Sequence, residues 1–179
     1  MKKTILALVA GSMMVSSVGF AAPITNMWTG EAAVGYNYYS LSHSTDNSSV
    51  YLQGDVSDKF TLGIERNNNS TCDYDDWNTT DIYAHYKLNP NFRIIVGDRD
   101  YDYGNVSNKV FYGVGYTTKL APRMDGYASI IGNSYTTEWQ AGVNYALDRN
   151  VSLNVGYKST KDDGYATYDG LGVGVNYKF

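Results

Sequence analysis

The sequence is poor in the residues that cross-link exported proteins and in those that favour helices. Cys72 is the single cysteine among 179 residues, so the chain can form no internal disulfide. It has only three prolines, and the strong helix formers Leu, Glu and Gln are sparse. After residue 21 the longest apolar runs, such as residues 94–96, are only a few residues long, which excludes a transmembrane helix.

Clusters of basic residues are also missing. The chain has 14 Lys and Arg against 18 Asp and Glu, a net charge of −4. Binding to phosphate backbones needs grouped Lys and Arg side chains. We therefore exclude nucleic acid as a partner.

The N-terminus has the pattern of a secretory signal peptide. Lys2 and Lys3 precede an apolar stretch, and the small residues Gly19 and Ala21 lie near the expected cleavage site. We predict cleavage before Ala22, which leaves residues 22–179 as a single exported domain. Losing Lys2 and Lys3 takes the net charge from −4 to about −6.

What the chain has in abundance is tyrosine and glycine, 18 of each, and a strict alternation of residue type. The clearest case is the C-terminal segment, where Leu171, Val173, Val175, Tyr177 and Phe179 alternate with small or polar residues. This period of two is typical of a strand with one apolar and one polar face. It fits a barrel strand between lipid and a polar lumen.

Ten segments between residue 28 and the C-terminus show this alternation. The segment at 124–132 is ambiguous, because Tyr127 and Ile131 compete with Ala128 and Ile130 for the outer face. We predict an all-β fold, a closed antiparallel up-and-down transmembrane β-barrel of about ten strands. Eight is the alternative number if one strand has been split in two.

The predicted connections fall into two alternating classes. Short turns lie at 57–59, 89–91, 121–123 and 148–150, whereas most of the others are longer and polar, notably 67–78 and 98–108. Short turns at one end and long loops at the other are typical of outer-membrane barrels, with the turns in the periplasm. We expect both chain termini at the turn end.

The signal peptide, the mature length and the ending Gly172–Phe179 resemble the small bacterial outer-membrane barrels of the OmpX, opacity-protein and OmpA-barrel type. The resemblance implies residence in the bacterial outer membrane, with the bilayer and lipopolysaccharide as partners. It also implies that the assembly machinery reads Tyr177 and Phe179 in the last strand. Known members include structural barrels, adhesins, narrow pores and lipid-modifying enzymes, and familiar ones have eight strands.

The inner face of the predicted barrel carries charges of both signs. A barrel of this size has room for side chains or one small ligand, so we expect these charges to pair and fill the lumen. The alternative is a narrow porin-like channel that the charges line. The predicted lumen charges are Glu31, Asp55, Glu65, Asp81, His85, Lys87, Arg93, Lys119, Glu138 and Lys158.

We expect four aromatic residues, Tyr74, Trp77, Tyr101 and Tyr103, on exposed loops, where they suit either ligand contact or an upper aromatic girdle. Ser42 and His43 have the residue types of a lipid A-modifying enzyme but no wider signature. We predict no catalytic residue, metal or cofactor, and a lipid A-modifying enzyme is the third alternative for the function. The expected function is a structural or surface-interaction protein, adhesin-like, with a host or envelope ligand as the potential partner of the loops.

Overall fold

The computed structural model describes residues 23, 25–72, 76–102 and 107–179, and these residues form a closed β-barrel. No helix in these ranges is long and apolar enough to cross a membrane. The ten strands are β1 (Ala32–Leu41), β2 (Thr45–Asp55), β3 (Phe60–Thr71), β4 (Trp77–Lys87), β5 (Phe92–Tyr101), β6 (Lys109–Ala121), β7 (Met124–Gly132), β8 (Thr136–Ala146), β9 (Val151–Asp162) and β10 (Thr167–Lys178).

Every strand pairs antiparallel with the next along the chain, and β1 pairs with β10 to close the sheet. In that closing pair Ala33 lies opposite Lys178, and Leu41 lies opposite Gly170. The prediction of a closed up-and-down barrel is confirmed, and the strand number is ten. Closure leaves no unpaired sheet edge, which is how a β structure without disulfides satisfies its backbone.

The pleat sorts the residues of each strand into an outer and an inner set. In β10, Leu171, Val173 and Val175 face outwards and are exposed, while Gly172 and Asn176 on the opposite face are buried. The ambiguous strand is settled in the same way. Tyr127 and Ile131 of β7 are buried inside the barrel, and Ile130 is exposed outside.

Inward glycines make room for inward aromatic rings. A Cβ atom added to Gly35 would lie 2.3 Å from the ring of Tyr51, which belongs to the directly opposite position of β2. Gly63 accommodates Tyr83 of β4 in the same way. Because glycine has no side chain, these rings can lie flat against the barrel wall.

We call the end with connections 56–59, 88–91, 122–123 and 147–150 the turn end, and the opposite end the loop end. The predicted contrast in length is weaker than expected, since the loop-end connections 42–44 and 133–135 are as short as the turns. The predicted loops 67–78 and 98–108 were too long, because β3 continues to Thr71 and β5 to Tyr101. In residues 67–71 of β3 and 98–100 of β5 both faces are polar, so the hydrophobic alternation disappears although the strands continue.

Candidate functional site: the polar interior and its two mouths

The centre of the lumen holds a group of five buried charged side chains, Glu65, Asp81, Arg99, Glu138 and Lys158, which we call the lumen cluster. Arg99 binds Asp81 through two parallel hydrogen bonds, of 2.9 Å from Nε to Oδ1 and 2.7 Å from Nη2 to Oδ2. These two residues lie directly opposite each other on β4 and β5. Nη2 of Arg99 also lies 3.4 Å from Oε2 of Glu138, which reaches it from β8. The guanidinium group therefore ties one wall of the barrel to another.

Lys158 occupies the other side of the lumen cluster. Its Nζ atom donates to Oδ1 of Asn47 at 3.4 Å and lies 4.9 Å from the centre of the Tyr39 ring, a cation–π contact. Three carboxylates and two cations share this interior, and charges of opposite sign offset each other's desolvation. Packed in this way, the lumen cluster fills the middle of the barrel.

A second polar layer lies nearer the turn end. Lys87 forms an ion pair with Asp55, which also accepts a hydrogen bond of 2.5 Å from the hydroxyl of Thr61. Nη2 of Arg93 lies 3.3 Å from Oγ1 of Thr117. His85 is fully buried in this layer and stacks on the ring of Tyr83, with ring centres 5.0 Å apart.

The segment before β1 enters the turn-end mouth, which the sequence analysis did not predict. Pro23, Thr25 and Met27 are buried there. Nη2 of Arg93 donates to Oδ1 of Asn26 at 3.5 Å, and Nε2 of Gln53 donates to the carbonyl of Pro23 at 3.4 Å. The segment therefore covers the inward residues of β2 and β5 on the side of the turn end.

Two predicted lumen charges lie outside the packed interior. Lys119 is exposed, because it sits beside the 122–123 turn where the β6–β7 register shifts. Glu31 lies immediately before β1 and is half-buried, and its Oε2 atom is 3.9 Å from Nζ of Lys178. The other predicted lumen charges face inwards: Asp55, Glu65, Asp81, His85, Lys87, Arg93, Glu138 and Lys158.

The sequence analysis missed Arg99, which is 2% exposed and is the central cation of the interior. It lay inside the predicted loop 98–108. A usable signal was present, since Arg93, Ile95, Gly97, Arg99 and Tyr101 continue one face of β5 at intervals of two.

At the loop end, aromatic rings lie across the mouth of the barrel and not on exposed loops. Tyr101, expected on an exposed loop, is buried at the end of β5, and its hydroxyl lies 2.9 Å from Oγ1 of Thr136. Trp77, expected on the same kind of loop, is half-buried at the start of β4, and its ring contacts that of Tyr168 with centres 5.4 Å apart. Both expectations were wrong because the strands extend further than predicted. Tyr74 and Tyr103 lie outside the described residues.

The serine and histidine pair at the first hairpin does not form a catalytic triad. Oγ of Ser42 lies 3.3 Å from Nδ1 of His43 and donates to Oδ1 of Asp169 at 3.1 Å. The carboxylate thus contacts the serine, whereas a triad needs it on the histidine to orient the base. His43 and Ser44 have positive φ angles of 59° and 52°, which serve the tight β1–β2 turn.

Two small pockets lie in the described barrel, one near each end. A pocket of about 10 Å³ lies at the loop end beside Trp77 and Tyr168, with room for about one water molecule. A second, of about 70 Å³, lies at the turn end between Asn26, Asn144 and Arg149. The lumen between them is occupied by the side chains described above.

The terminal aromatics predicted to guide assembly lie on the outer surface. Tyr177 and Phe179 are 48% and 41% exposed, with ring centres 6.3 Å apart. The backbone carbonyl of Phe179 accepts a hydrogen bond of 2.9 Å from the N–H of Ala32. The end of the chain is therefore fixed to β1.

No protein-family model matches the chain, and no curated protein matches its sequence. Among solved structures, the NanC porin is 9% identical, with a TM-score of 0.51 over 83% of this chain and 100% of that one. The N-terminal β-barrel domain of Pseudomonas aeruginosa OprF is 13% identical, with a TM-score of 0.46 over 84% and 98%. A de novo designed transmembrane β-barrel is 17% identical, with a TM-score of 0.45 over 87% and 100%. At these identities the shared property is the barrel fold alone.

Proposed function

We propose that this chain is a bacterial outer-membrane β-barrel with a closed lumen, acting as a structural or surface-interaction protein, adhesin-like at its loop end. One observation carries the proposal: the closed barrel is apolar outside and charged inside. Val50, Ile82, Val96, Val114 and Val155 are between 48% and 57% exposed on the outer face. A water-soluble barrel would reverse this arrangement, whereas lipid requires it.

The turn end has the features of a membrane–water interface. Phe60 contacts Tyr86 with ring centres 5.2 Å apart, and Phe92 contacts Tyr116 at 4.7 Å. Amphipathic rings concentrate at the headgroup level of bilayers. Residues 1–21 act in this proposal as the export signal, and β10 together with Phe179 contacts the assembly machinery. The turn end then faces the periplasm and the loop end faces outwards, next to lipopolysaccharide.

The filled interior favours a structural or interaction role over transport. Arg99 joins β5 to Glu138 of β8, and Lys158 fills the space beside Tyr39. A solute could pass only by separating ion pairs that are shielded from water, which is costly. In this proposal a ligand therefore binds at the loop end and not in the lumen.

Cys72 offers a direct test of this orientation, because it is exposed immediately after β3 at the loop end. We expect a membrane-impermeant maleimide to label Cys72 on intact expressing cells, and a Cys72→Ser variant to remain unlabelled. Labelling that requires permeabilised cells would contradict the proposed orientation. Recovery of the protein outside the outer-membrane fraction would contradict the location.

A narrow channel is the second candidate, favoured by polar atoms that line the interior without hydrogen-bond partners in the described residues. They include Oε2 of Glu65, both ring nitrogens of His85 and Nε of Arg93. A channel would give discrete conductance steps whose ion selectivity changes when Arg93 or Glu138 is neutralised. The exposed Lys119 serves as the matched control, since its neutralisation should leave the selectivity unchanged.

A further inference from the structure

Arg93 is a buried cation that forms no ion pair with any of the described residues. It is 3% exposed, and its Nε atom has no hydrogen-bond partner in the same part of the chain. The carboxylate of this polar layer, Asp55, is already engaged by Lys87 and by the hydroxyl of Thr61. His85 accepts no hydrogen bond from Arg93, since neither of its ring nitrogens has a partner among the described residues. A buried charge without a counter-ion is costly, so the layer favours an anion.

Two donors beside Arg93 converge on one acceptor atom. Nη2 of Arg93 donates to Oδ1 of Asn26 at 3.5 Å, and the hydroxyl of Thr117 donates to the same oxygen at 3.4 Å. Hydrogen bonds to oxygen are typically about 2.7–3.0 Å long, so both are stretched by about half an ångström. The amide oxygen is also neutral and cannot compensate the guanidinium charge. The geometry therefore suits an acceptor that is larger than oxygen and negatively charged.

Asn26 is free to leave this position. It is exposed at the turn end, and it lines the pocket of about 70 Å³ there. That volume has room for several water molecules, so the Asn26 side chain can turn into it. A carboxamide group is larger than a single halide ion. Its departure therefore vacates enough space for the ion, and the site needs no further cavity.

We infer that the turn-end mouth binds one small monovalent anion of the halide class between Nη2 of Arg93 and Oγ1 of Thr117. The anion takes the place of Oδ1 of Asn26, whose side chain turns into the adjacent pocket. Its charge compensates the guanidinium, and a charge-assisted hydrogen bond from Arg93 holds it. The inference goes beyond the proposed function and does not depend on which end of the barrel faces the periplasm.

Binding is tested by urea unfolding of the detergent-extracted protein, followed by tryptophan fluorescence. The probes are potassium chloride and potassium bromide, with potassium gluconate at the same ionic strength as the reference, because gluconate is too large for the place of one carboxamide group. An anion that binds only the folded protein lowers the unfolding equilibrium constant by the factor 1 + [L]/Kd. For a Kd of about 20 mM, we expect about tenfold less unfolding in about 0.2 M chloride than in gluconate, and a similar effect of bromide.

The variant Asn26→Asp supplies the anion from the chain itself. We expect its unfolding constant in gluconate to be about tenfold below that of the parent, and its response to chloride to be less than about twofold. Asn89→Asp is the matched control, because it adds the same charge in an exposed turn at the same end. Oδ1 of Asn89 accepts hydrogen bonds from two backbone N–H groups, a role that a carboxylate keeps. This control should respond to chloride as the parent does, whereas Arg93→Gln should not respond.

Equal unfolding of the parent in chloride and gluconate would overturn the inference. So would a full response to chloride in Asn26→Asp, or a lower stability of that variant than of the parent in gluconate. Crystals grown in bromide locate the ion directly, and we expect an anomalous peak within about 3.5 Å of Nη2 of Arg93. Bromide ordered only elsewhere would contradict the proposed site. If Arg93→Gln does not fold, Asn26→Asp and the position of bromide still decide the question.

Discussion

Replacing Arg99 by methionine should destabilise the barrel more than any surface substitution. The change removes the one guanidinium group that binds both Asp81 and Glu138. These carboxylates are 0% and 1% exposed, so bulk water cannot replace the hydrogen bonds that they lose with Arg99. Removing one partner from a buried ion pair typically costs about 3–5 kcal/mol. A whole domain is stable by only about 5–15 kcal/mol, so the loss is a large fraction of the total.

Urea unfolding of the detergent-refolded protein, followed by tryptophan fluorescence and by gel mobility with and without heating, measures this loss. Lys119→Met is the matched control, since Lys119 is exposed and its loss should cost less than about 0.5 kcal/mol. We expect the triple variant Asp81→Asn/Arg99→Met/Glu138→Gln to recover part of the stability, because no unpaired charge remains. An Arg99→Met variant within about 1 kcal/mol of the parent protein would refute the reasoning.

Three smaller predictions follow from other parts of the barrel. Gly113→Ala should cost about 1–3 kcal/mol, because the new Cβ would lie 2.0 Å from the backbone oxygen of Ile130. Gly132→Ala, where the nearest atom is 3.5 Å away, should be nearly neutral in the same unfolding assay. Tyr101→Phe should cost about 1–2 kcal/mol, through its lost bonds to Thr136 and Asn133, whereas Tyr165→Phe should change nothing. Backbone N–H donors from Val151 and Asn150 lower the pKa of Asp148. Since its pKa is lower when folded, its stabilising contribution is present above its ordinary pKa and is lost as the pH falls through the lowered value. As the pH falls below about 4, the ordinary pKa of an aspartate, the parent should therefore lose more stability than Asp148→Asn, and equal losses would contradict this.

Where one face of a strand is apolar, the sequence predicts the strand and its orientation well. In β9, Leu153 and Val155 are exposed outside, while Asn154 and Lys158 are buried inside, as alternation predicts. The turn at residues 89–91 is equally readable, since Oδ1 of Asn89 accepts bonds of 2.9 Å from the N–H groups of Asn91 and Phe92. Local chemistry is sufficient in these cases.

Where the strands extend past the apolar outer surface, hydrophobic alternation no longer predicts them, and the reason is physical. Near the loop end the outward Asp98 and Asp100 are exposed to a polar environment, and the inward Arg99 meets a polar lumen, so no alternation marks the strand. The partners of Arg99 could not be predicted from the sequence either. Glu138 lies 39 residues further along the chain and reaches Arg99 only because the barrel closes. Residues 23 and 25–27 carry no periodic signal, and their place in the turn-end mouth depends on the assembled strands.

Single-channel recording in a planar bilayer tests the closed lumen most directly. The protein should first be shown to be folded by its heat-dependent gel mobility, and then inserted and held at voltages of both signs. We predict a silent bilayer, because in the part of the chain that the structure describes the lumen cluster occupies the middle of the barrel, the Trp77–Tyr168 contact crosses one mouth and the segment before β1 enters the other. Reproducible discrete steps from folded protein, altered in ion selectivity by Glu138→Gln and unchanged by Lys119→Met, would contradict this and make the lumen charges a channel lining.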